Sequence, residues 1–424
     1  MPDSNTSHHD AAVQIVRRLQ DRGHTAYLAG GCVRDQLLGL TPKDYDIATD
    51  AEPPVVRALF RGSRYVGEAF GVVLVPVRME QDRYLIEVAT FRTEWGYKDG
   101  RRPSRVTFTD AEHDATRRDF TINGLFENPL ADNPEERIID FVDGRRDLER
   151  GVIRAIGDAE IRFHEDYLRM LRAVRFAARF GFQIESKTAN AIRHHAEDLV
   201  KISRERIGQE VKAMLTPGDD VDPARAASLM QESKLDESTL GEEHRDLRLT
   251  IVQHLPTDAH YPTVLAAWML DRHGTDQNVR LSTRDIGDRI RQWRQALCLS
   301  NEQSTALGEI IEIADGALAW PGLSVAAQKR LVARAQWSQS WILLNAARSS
   351  RGVAVVAEGI TSDLPALIAE GVSPPPFVTG DDLIAQGRQP GPEFRRLLDA
   401  AYDAQLEGRV RDRSEALKWL EHQA

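Results

Sequence analysis

Apolar residues recur at helical spacing between Asp10 and Arg22, at Ala12, Val13, Ile15, Val16 and Leu19, and Gly23 supplies a stop. Two short runs follow, Thr25 to Ala29 and Asp44 to Ala48, which the pattern predicts as strands, with a short helix between them opening after paired glycines. In the second run Asp44 and Asp46 alternate with Tyr45 and Ile47. The two carboxylates therefore share one face while the apolar side chains point to the core. PPVVRALF from Pro53 starts a further helix, proline being tolerated in a first turn. The runs Val72 to Val77 and Tyr84 to Phe91 read as buried strands. From Glu94 to Val106 the chain is charged, contains glycine and is weakly periodic, the mark of a mobile loop or simply of a solvated connection.

The stretch RRDFTINGLF, Arg117 to Phe126, reads as part of a helix beginning near Asp114. Between Arg137 and Gly157, IIDFV and VIRAI look strand-like around Asp and Gly turn signals and form a connector. One or two helices follow, in which Ile161, Leu168, Leu171, Val174 and Ala178 build an apolar side. After Arg204 the pattern is helical almost throughout, with breaks near Pro217 to Pro223, Pro256 to Pro262 and Pro321, and a stiff GVSPPPFVTG linker precedes the last segment. The fold class expected is α+β: a small sheet with flanking helices, then an all-helical remainder.

Composition bounds this picture. The chain's 424 residues suffice for two to four domains. With 42% hydrophobic and 28% charged residues it is ordinary for a globular protein. No apolar run approaches the roughly 18 residues of a membrane span, and the first residues lack the regions of a signal peptide, so a cytoplasmic protein is expected, with no membrane partner. Cys32 and Cys298 are the only cysteines, which excludes a disulfide framework and a cysteine-bound zinc. The pairs His194/His195 and His254/His260 lack companion spacing for a metal. A formal charge of −10 argues against indiscriminate coating of nucleic acid but leaves room for a local basic groove. Arg92, Lys98, Arg101, Arg102 and Arg105 form one such concentration, and Arg162, Arg169, Arg172, Arg175 and Arg179 another, unless they only balance nearby acids.

The candidate chemistry centres on LAGGCVRDQLLGLTPKDYDIAT, Leu28 to Thr49. Two carboxylates on one strand face repel unless a cation sits between them, and oxygen ligands of this kind suit Mg²⁺ bridging to phosphates. Alone, such a pair is more often a solvated turn. Gly30 and Gly31 change the balance, since they let the backbone approach a bulky anion at a helix start. The spacings of a P-loop or a dinucleotide fingerprint are absent. Arg117 and Arg118 can grip phosphate bidentately, and Asp119 and Asn123, four apart, can meet one ligand. Asp166 and Arg169 sit at i and i+3. An aspartate accepting from an exocyclic amine and an arginine donating to a ring acceptor can together mimic a complementary base edge for cytosine or adenine. The plain alternative is an intrahelical salt bridge worth about 0.3–0.5 kcal/mol.

LAGGCVRDQLLG followed by KDYDIAT resembles the head motif of the class II tRNA nucleotidyltransferase and bacterial poly(A) polymerase family, within the DNA polymerase β-like superfamily. RRDFTINGLF and EDYLRMLRAVRFAARFGF, Glu165 to Phe182, match further motifs in the family's order, and TGDDLIAQGRQPGPEF from Thr379 resembles its tail. The resemblance implies a catalytic head over 1–145, a helical neck with the base-reading motif over 146–215, a helical body over 216–372 and a tRNA-binding tail over 373–424. The tail's Arg388, Arg395, Arg396, Arg409, Arg411 and Arg413 are candidate contacts to the tRNA acceptor arm and elbow or, equally, a solvated face. The attached His-Asp phosphohydrolase domain of some relatives is not expected, because no His-Asp dipeptide follows His113-Asp114.

The resemblance further implies transfer of CMP and AMP from CTP and ATP to a tRNA 3′ end. Asp44 and Asp46 would hold two Mg²⁺ ions about 3.5–4 Å apart, with no general-base side chain required. Glu87, in YLIEVATF, is the candidate third carboxylate, with an edge-strand glutamate or a partner of Arg92 as the alternative. Gly30, Gly31 and Arg34 would cradle the triphosphate, Arg117, Arg118, Asp119 and Asn123 would serve triphosphate and ribose, and Asp166, Arg169, Arg172 and Arg175 would line the base site. The loop ending in DGRRP corresponds to one that takes part in switching from C to A addition. An A-adding or CC-adding enzyme, a poly(A) polymerase, or a catalytically silent tRNA-binding protein would share these motifs. GEAFGVV before the third strand looks more like the CCA-adding branch. Oligomeric state is not readable.

Overall fold

The β-branched and aromatic runs of the first half pair into one seven-stranded sheet in a computed structural model that describes residues 4–66, 71–79, 82–95, 105–218, 220–274, 283–348 and 353–423. The chain divides into two compact units, the first formed by Met1–Met214 with Leu229–His244 and the second by Leu215–Ser228 with Arg245–Ala424. The head region 1–145 and the neck region 146–215 read from the sequence fall in the first unit, apart from Leu215.

The first unit opens with α1 (Ser4–Gln20), one and a half turns longer at its start than the apolar pattern alone suggests, and Gly23 follows it with φ +83°. Then come β1 (Ala26–Ala29), α2 (Gly31–Leu37), β2 (Ile47–Thr49), α3 (Pro53–Leu59), β3 (Arg64–Tyr65), β4 (Val72–Met79) and β5 (Asp82–Thr90). The strands β6 (Arg92–Trp95) and β7 (Arg105–Phe108), the helix α4 (Ala111–Thr116), and the strands β8 (Phe126–Glu127) and β9 (Ile138–Ile139) complete the sheet region. The main sheet runs β3-β4-β5-β2-β1-β8-β9. Its centre is the parallel β2·β5 pair, Ile47 opposite Val88, beside the antiparallel β1·β2 pair, Leu28 opposite Ile47. Apolar faces of these strands meet Phe91, Phe126, Ala111 and Ala115, and Phe91 and Phe126 cross edge to face at 5.9 Å.

Four expectations need correction. The second strand begins at Ile47 rather than Asp44, although the lead-in is extended and the Ala29 N–H donates to the Asp46 carbonyl at 2.9 Å, so the alternation of exposed Asp44 and Asp46 with buried Tyr45 and Ile47 persists. β4 and β5 are not fully buried but alternate, because they form a long antiparallel hairpin with one wet face. The ends of the expected loop are the paired strands β6 and β7; its residues 96–104, with Lys98, Arg101 and Arg102, and most of GEAFGVV (residues 67–70) lie outside the described residues. RRDFTINGLF is not helical. α4 stops at Thr116, Phe120 is extended and bridges Ala155, and Thr121–Asn123 is a single 3-10 turn.

Beyond the sheet lie α5 (Gly144–Arg150), β10 (Val152–Ile153), α6 (Ala159–Glu165), α7 (Leu168–Phe180), β11 (Gln183–Ile184), α8 (Ser186–His195) and α9 (Arg204–Leu215). α6 and α7 are two helices, broken at Asp166 (φ −154°, ψ 104°). Leu168, Leu171, Val174 and Ala178 are buried as the periodicity predicts, but Ile161 is 60% exposed. The break at Asp166 resets the helical phase, so Ile161 does not continue the face set by the later residues.

The second unit is helical apart from short 3-10 turns and connectors. Buried Trp268 and Trp293 pack edge to face at 5.4 Å between the helices Tyr261–His273 and Thr283–Leu297. Its last three helices close over Leu383, Leu397, Ala404, Val410 and Leu420. Among the tail arginines, Arg413 pairs with Asp382, and Arg409 pairs with Glu407 at 2.7 Å while lying over Trp419. Among the described residues no helix is long and apolar enough to cross a membrane.

One close approach holds the turn of RRDFTINGLF to α5. A Cβ on Gly144 would stand 2.1 Å from the Thr121 carbonyl oxygen, so backbone itself would have to move. Gly144→Ala is expected to destabilise the first unit by about 1–3 kcal/mol, as overpacking does. Denaturant unfolding measures this, and an unchanged midpoint would refute the packing described.

Candidate active site

A single cavity of about 820 Å³ in the first unit gathers almost every site residue read from the sequence. Its lining holds nine arginines against five carboxylates, so the cleft is locally cationic although the chain carries −10. The two signs are segregated, and the segregation follows from the elements.

The carboxylate wall comes from the sheet. Asp46 and Glu87 each precede by one residue the paired Ile47 and Val88 of the parallel strands, which sets them at the same level on adjacent chains. Because Ile47 and Val88 are buried, alternation turns Asp46 and Glu87 to the opposite, cavity-facing side, and Asp44 joins them two residues earlier. The Asp46 carboxyl is pushed up to about 6, first by desolvation in the cleft and then by the charges of Glu87 and Asp44, against the pull of Arg118. Three oxygen-donor groups whose charges resist one another are the donor set a hard divalent cation relieves.

Gly30 joins this wall to the basic side of the cavity. It has φ +72°, and a Cβ there would meet Arg118 Nη1 at 2.6 Å. A Cβ on Gly31 would have only an ordinary contact, 3.7 Å from Arg34 Nη2. Arg118 lies over the Phe126 ring and donates to the Asn123 carbonyl at 3.2 Å. Arg117 and Arg118 both grip Asp114, at 2.7 and 2.9 Å. Burial alone would raise Asp114, but these two guanidinium groups hold it below the usual carboxylate range.

Asp119 and Asn123 do meet, without a helix to align them. The Asn123 amide donates to Asp119 Oδ1 at 2.9 Å, and the Phe120 N–H donates to the same oxygen at 2.8 Å. Arg172 closes on Oδ2 at 2.8 Å. Burial would raise Asp119, yet Arg172, Asn123 and Arg169 together hold it far below the usual range. Arg34 is 4% exposed and fully engaged, donating to Asp35 at 2.6 and 2.8 Å and to Asn123 Oδ1 at 2.5 Å, with its guanidinium over Phe176 and Phe180. Its donors position the cradle more than they offer themselves to a ligand.

The opposite wall is α7. Arg169, Arg172, Arg175 and Arg179 recur at three and four residues, one helix face, and all line the cavity. Arg162, on α6, instead pairs with Glu165. Asp166 and Arg169 are not an ion pair with each other. Arg169 is held by Glu165 and by the carbonyls of Arg162 and Arg117, while Asp166 accepts from the Leu168 N–H at 3.0 Å and from Arg206 at 2.6 and 3.3 Å. Arg206 lines the cavity, and its neighbour Glu210 holds Arg175 at 2.7 Å. Both come from α9, and sequence reasoning missed them along with Asp114. The only local signal is their spacing of four in RERIGQE, which places both on one helix face.

The chain is similar to known proteins over most of its length. The family descriptions "Poly A polymerase head domain" and "Probable RNA and SrmB- binding site of polymerase A" match residues 26–154 and 181–240. The CCA-adding enzyme of Lactobacillus gasseri is 36% identical over 307 residues, 72% of this chain and 71% of that protein. The chain belongs to the CCA-adding enzyme family. The corresponding enzyme of Lactiplantibacillus plantarum is 46% identical over 206 residues, 48% of each chain, so the match spans about half the length of the first such curated relatives. The crystal structure of the Bacillus stearothermophilus CCA-adding enzyme in complex with CTP is 29% identical and superposes with a TM-score of 0.73, covering 98% of this chain and 97% of that one. The Thermotoga maritima CCA-adding enzyme, solved with tRNA, shares the fold at 20% identity and a TM-score of 0.67, covering 98% of this chain and 95% of that one.

The raised Asp46 yields a signed prediction. Its folded pKa lies above the unfolded value near 4, so ionising it costs stability as pH rises through about 4 to 6, and that cost is fully present at neutral pH. Asp46→Asn should therefore raise the melting temperature of the metal-free protein at neutral pH while weakening divalent-cation binding. In the wild type, cation affinity should fall as pH drops below about 6. A lowered melting temperature in the variant together with a cation affinity constant from pH 5 to 8 would contradict the cluster.

Proposed function

We propose that this chain transfers CMP and AMP from CTP and ATP to the 3′ end of tRNA, building or repairing the CCA terminus and releasing pyrophosphate. The observation that carries the reading is one cavity with three carboxylates on its sheet wall and Asp166, Arg169 and the α7 arginines on the other. The family's crystal structure with CTP supports a nucleoside triphosphate as the occupant.

Asp44, Asp46 and Glu87 fit a divalent cation, Mg²⁺ in this reading. When bound, it supplies Lewis acidity that makes the terminal 3′-hydroxyl more acidic and offsets the charge of the leaving pyrophosphate. Gly30 leaves room for the backbone to approach the triphosphate, and Arg117 and Arg118 face it as cations already oriented by Asp114. Asp119 and Asn123 present a carboxylate and an amide, fixed to each other, to the ribose. Asp166 accepts the exocyclic amine of cytosine or adenine, and Arg169 donates to the neighbouring ring acceptor. Uracil and guanine offer the wrong pattern at those two positions. Arg206 holds the Asp166 carboxylate at the break between α6 and α7, where helix geometry alone would leave it loose.

Three transcripts test the reading: tRNA ending at the discriminator base, tRNA ending in CC, and an unstructured RNA, each with labelled CTP, ATP or both. Two C and one A added to the first, with a stop there, is the expected result. One A on the CC transcript alone would make it an A-adding enzyme, CC alone a CC-adding enzyme, and long A tails on unstructured RNA a poly(A) polymerase. Arg206→Ala should raise KM for both CTP and ATP by about tenfold, the loss of one charged hydrogen bond of about 1.5 kcal/mol, with Arg206→Lys recovering part of it. Unchanged KM values in Arg206→Ala would remove Arg206 from base selection.

A further inference from the structure

Outside the cleft, a second group of side chains converges where α6 packs on α8. Glu160 comes from the first turn of α6 and His194 and His195 from the last turn of α8, and one ligand atom from each lies within 4.8 Å of the others. His195 is buried, at 7% exposure. Its two ring nitrogens are both directed: Nδ1 faces Asp198 at 2.8 Å and Nε2 faces Glu160 at 2.5 Å. His194 is exposed, its ring centroid 4.9 Å from that of His195, and it has no hydrogen-bond partner among the described residues. His164, its ring centroid 5.2 Å from that of His195, is taken up by the Tyr167 hydroxyl at 3.0 Å.

A histidine clamped between two carboxylates is explained by ion pairing alone, but that leaves His194 without a task. A carboxylate on Nδ1, a second nitrogen aimed at a further carboxylate, and an unpartnered imidazole beside them is instead the arrangement of a ligating histidine with its orienting acid. We propose that Glu160, His194 and His195 form a binding site for a d-block divalent cation of the zinc class, with Asp198 orienting His195. One carboxylate oxygen and two imidazole nitrogens suit such an ion better than Mg²⁺, which prefers all-oxygen surroundings. The site is distinct from the cleft, whose lining includes none of the four residues. The cation would take the place of the hydrogen shared by Glu160 and His195 and clamp the first turn of α6 to the last turn of α8. Sequence spacing hides it, because Glu160 lies in another helix 34 residues before His194.

Calorimetric titration of the full chain with ZnCl₂, with excess MgCl₂ present to occupy the acidic cleft, tests the site, and Co²⁺ absorption reports nitrogen ligation independently. The expected result is one saturable equivalent that survives Asp46→Asn and is lost in Glu160→Gln and in His194→Ala. Both of these residues are exposed, so the folded chain should tolerate either change. Asp198→Asn should weaken the equivalent by about 10- to 100-fold, as loss of an orienting acid does. Absence of a saturable equivalent in the wild type overturns the proposal. So does an equivalent that persists in both His194→Ala and Glu160→Gln, for instance on the exposed Cys298.

Discussion

A closed path of buried polar contacts governs the geometry of the first unit. It leaves α7 at Arg172, passes to Asp119, Asn123, Arg34 and Asp35, and returns to α7 at Arg179. Its two ends are seven residues apart, about two helical turns. The path therefore locks the sheet-borne elements α2 and the RRDFTINGLF turn to α7, the helix that carries Arg169. Arg34 and Asp35 are 4% and 5% exposed, and removing one partner from such a pair costs about 3–5 kcal/mol because the other charge is stranded. Replacing the whole path with apolar residues could cost little in stability, but it would release the register between the two walls of the cavity.

That register matters because the two walls do opposite electrostatic work. The sheet wall concentrates the carboxylates Asp44, Asp46 and Glu87, and the α7 wall concentrates the arginines Arg169, Arg172, Arg175 and Arg179. Each is strained by itself, as the raised Asp46 and the lowered Arg175, which feels burial and the Arg172 charge, both show. Each α7 arginine is paired with an acid, Arg169 with Glu165, Arg172 with Asp119, Arg175 with Glu210 and Arg179 with Asp35, and Asp114 holds Arg117 and Arg118 beside them. Phe176 and Phe180, stacked 5° from parallel, give the guanidinium planes of Arg34, Arg175 and Arg179 a surface to lie on. A site of this kind stores the free energy of its ligands in advance, which is why its residues are not the ones that would maximise stability.

Much of this was legible in the sequence where the information is local. The alternation of Asp44 and Asp46 with Tyr45 and Ile47, the helical face of Arg169, Arg172, Arg175 and Arg179, and the turn after the paired glycines all depend on near neighbours, and they hold even where strand boundaries shift. What sequence spacing could not reveal depends on contacts between distant segments. RRDFTINGLF reads as the continuation of a helix beginning near Asp114, but Phe120 is drawn into a bridge with Ala155 while Asp119 caps its own following N–H. Asp166 and Arg169 looked like a helical pair, whereas each takes a different partner, Arg206 and Glu165. Arg206 itself is 40 residues from the carboxylate it holds, and its own stretch marks only a shared helix face with Glu210, not that partner. Glu87 could be nominated but not separated from an ordinary edge glutamate until the parallel register with β2 set it beside Asp46.

The central claim is that the two walls act on one nucleotide at once, cation and triphosphate at the sheet and base at Asp166 and Arg169. A crystal structure of the chain with CTP and Mn²⁺ tests it most directly, because anomalous scattering locates the ion independently of the nucleotide. The expected result is an Mn²⁺ peak between Asp44 and Asp46 and the cytosine amine directed at Asp166, with Arg169 on the ring acceptor. An ion away from those carboxylates, or a base turned away from Asp166 and Arg169 while the triphosphate is bound, would contradict it.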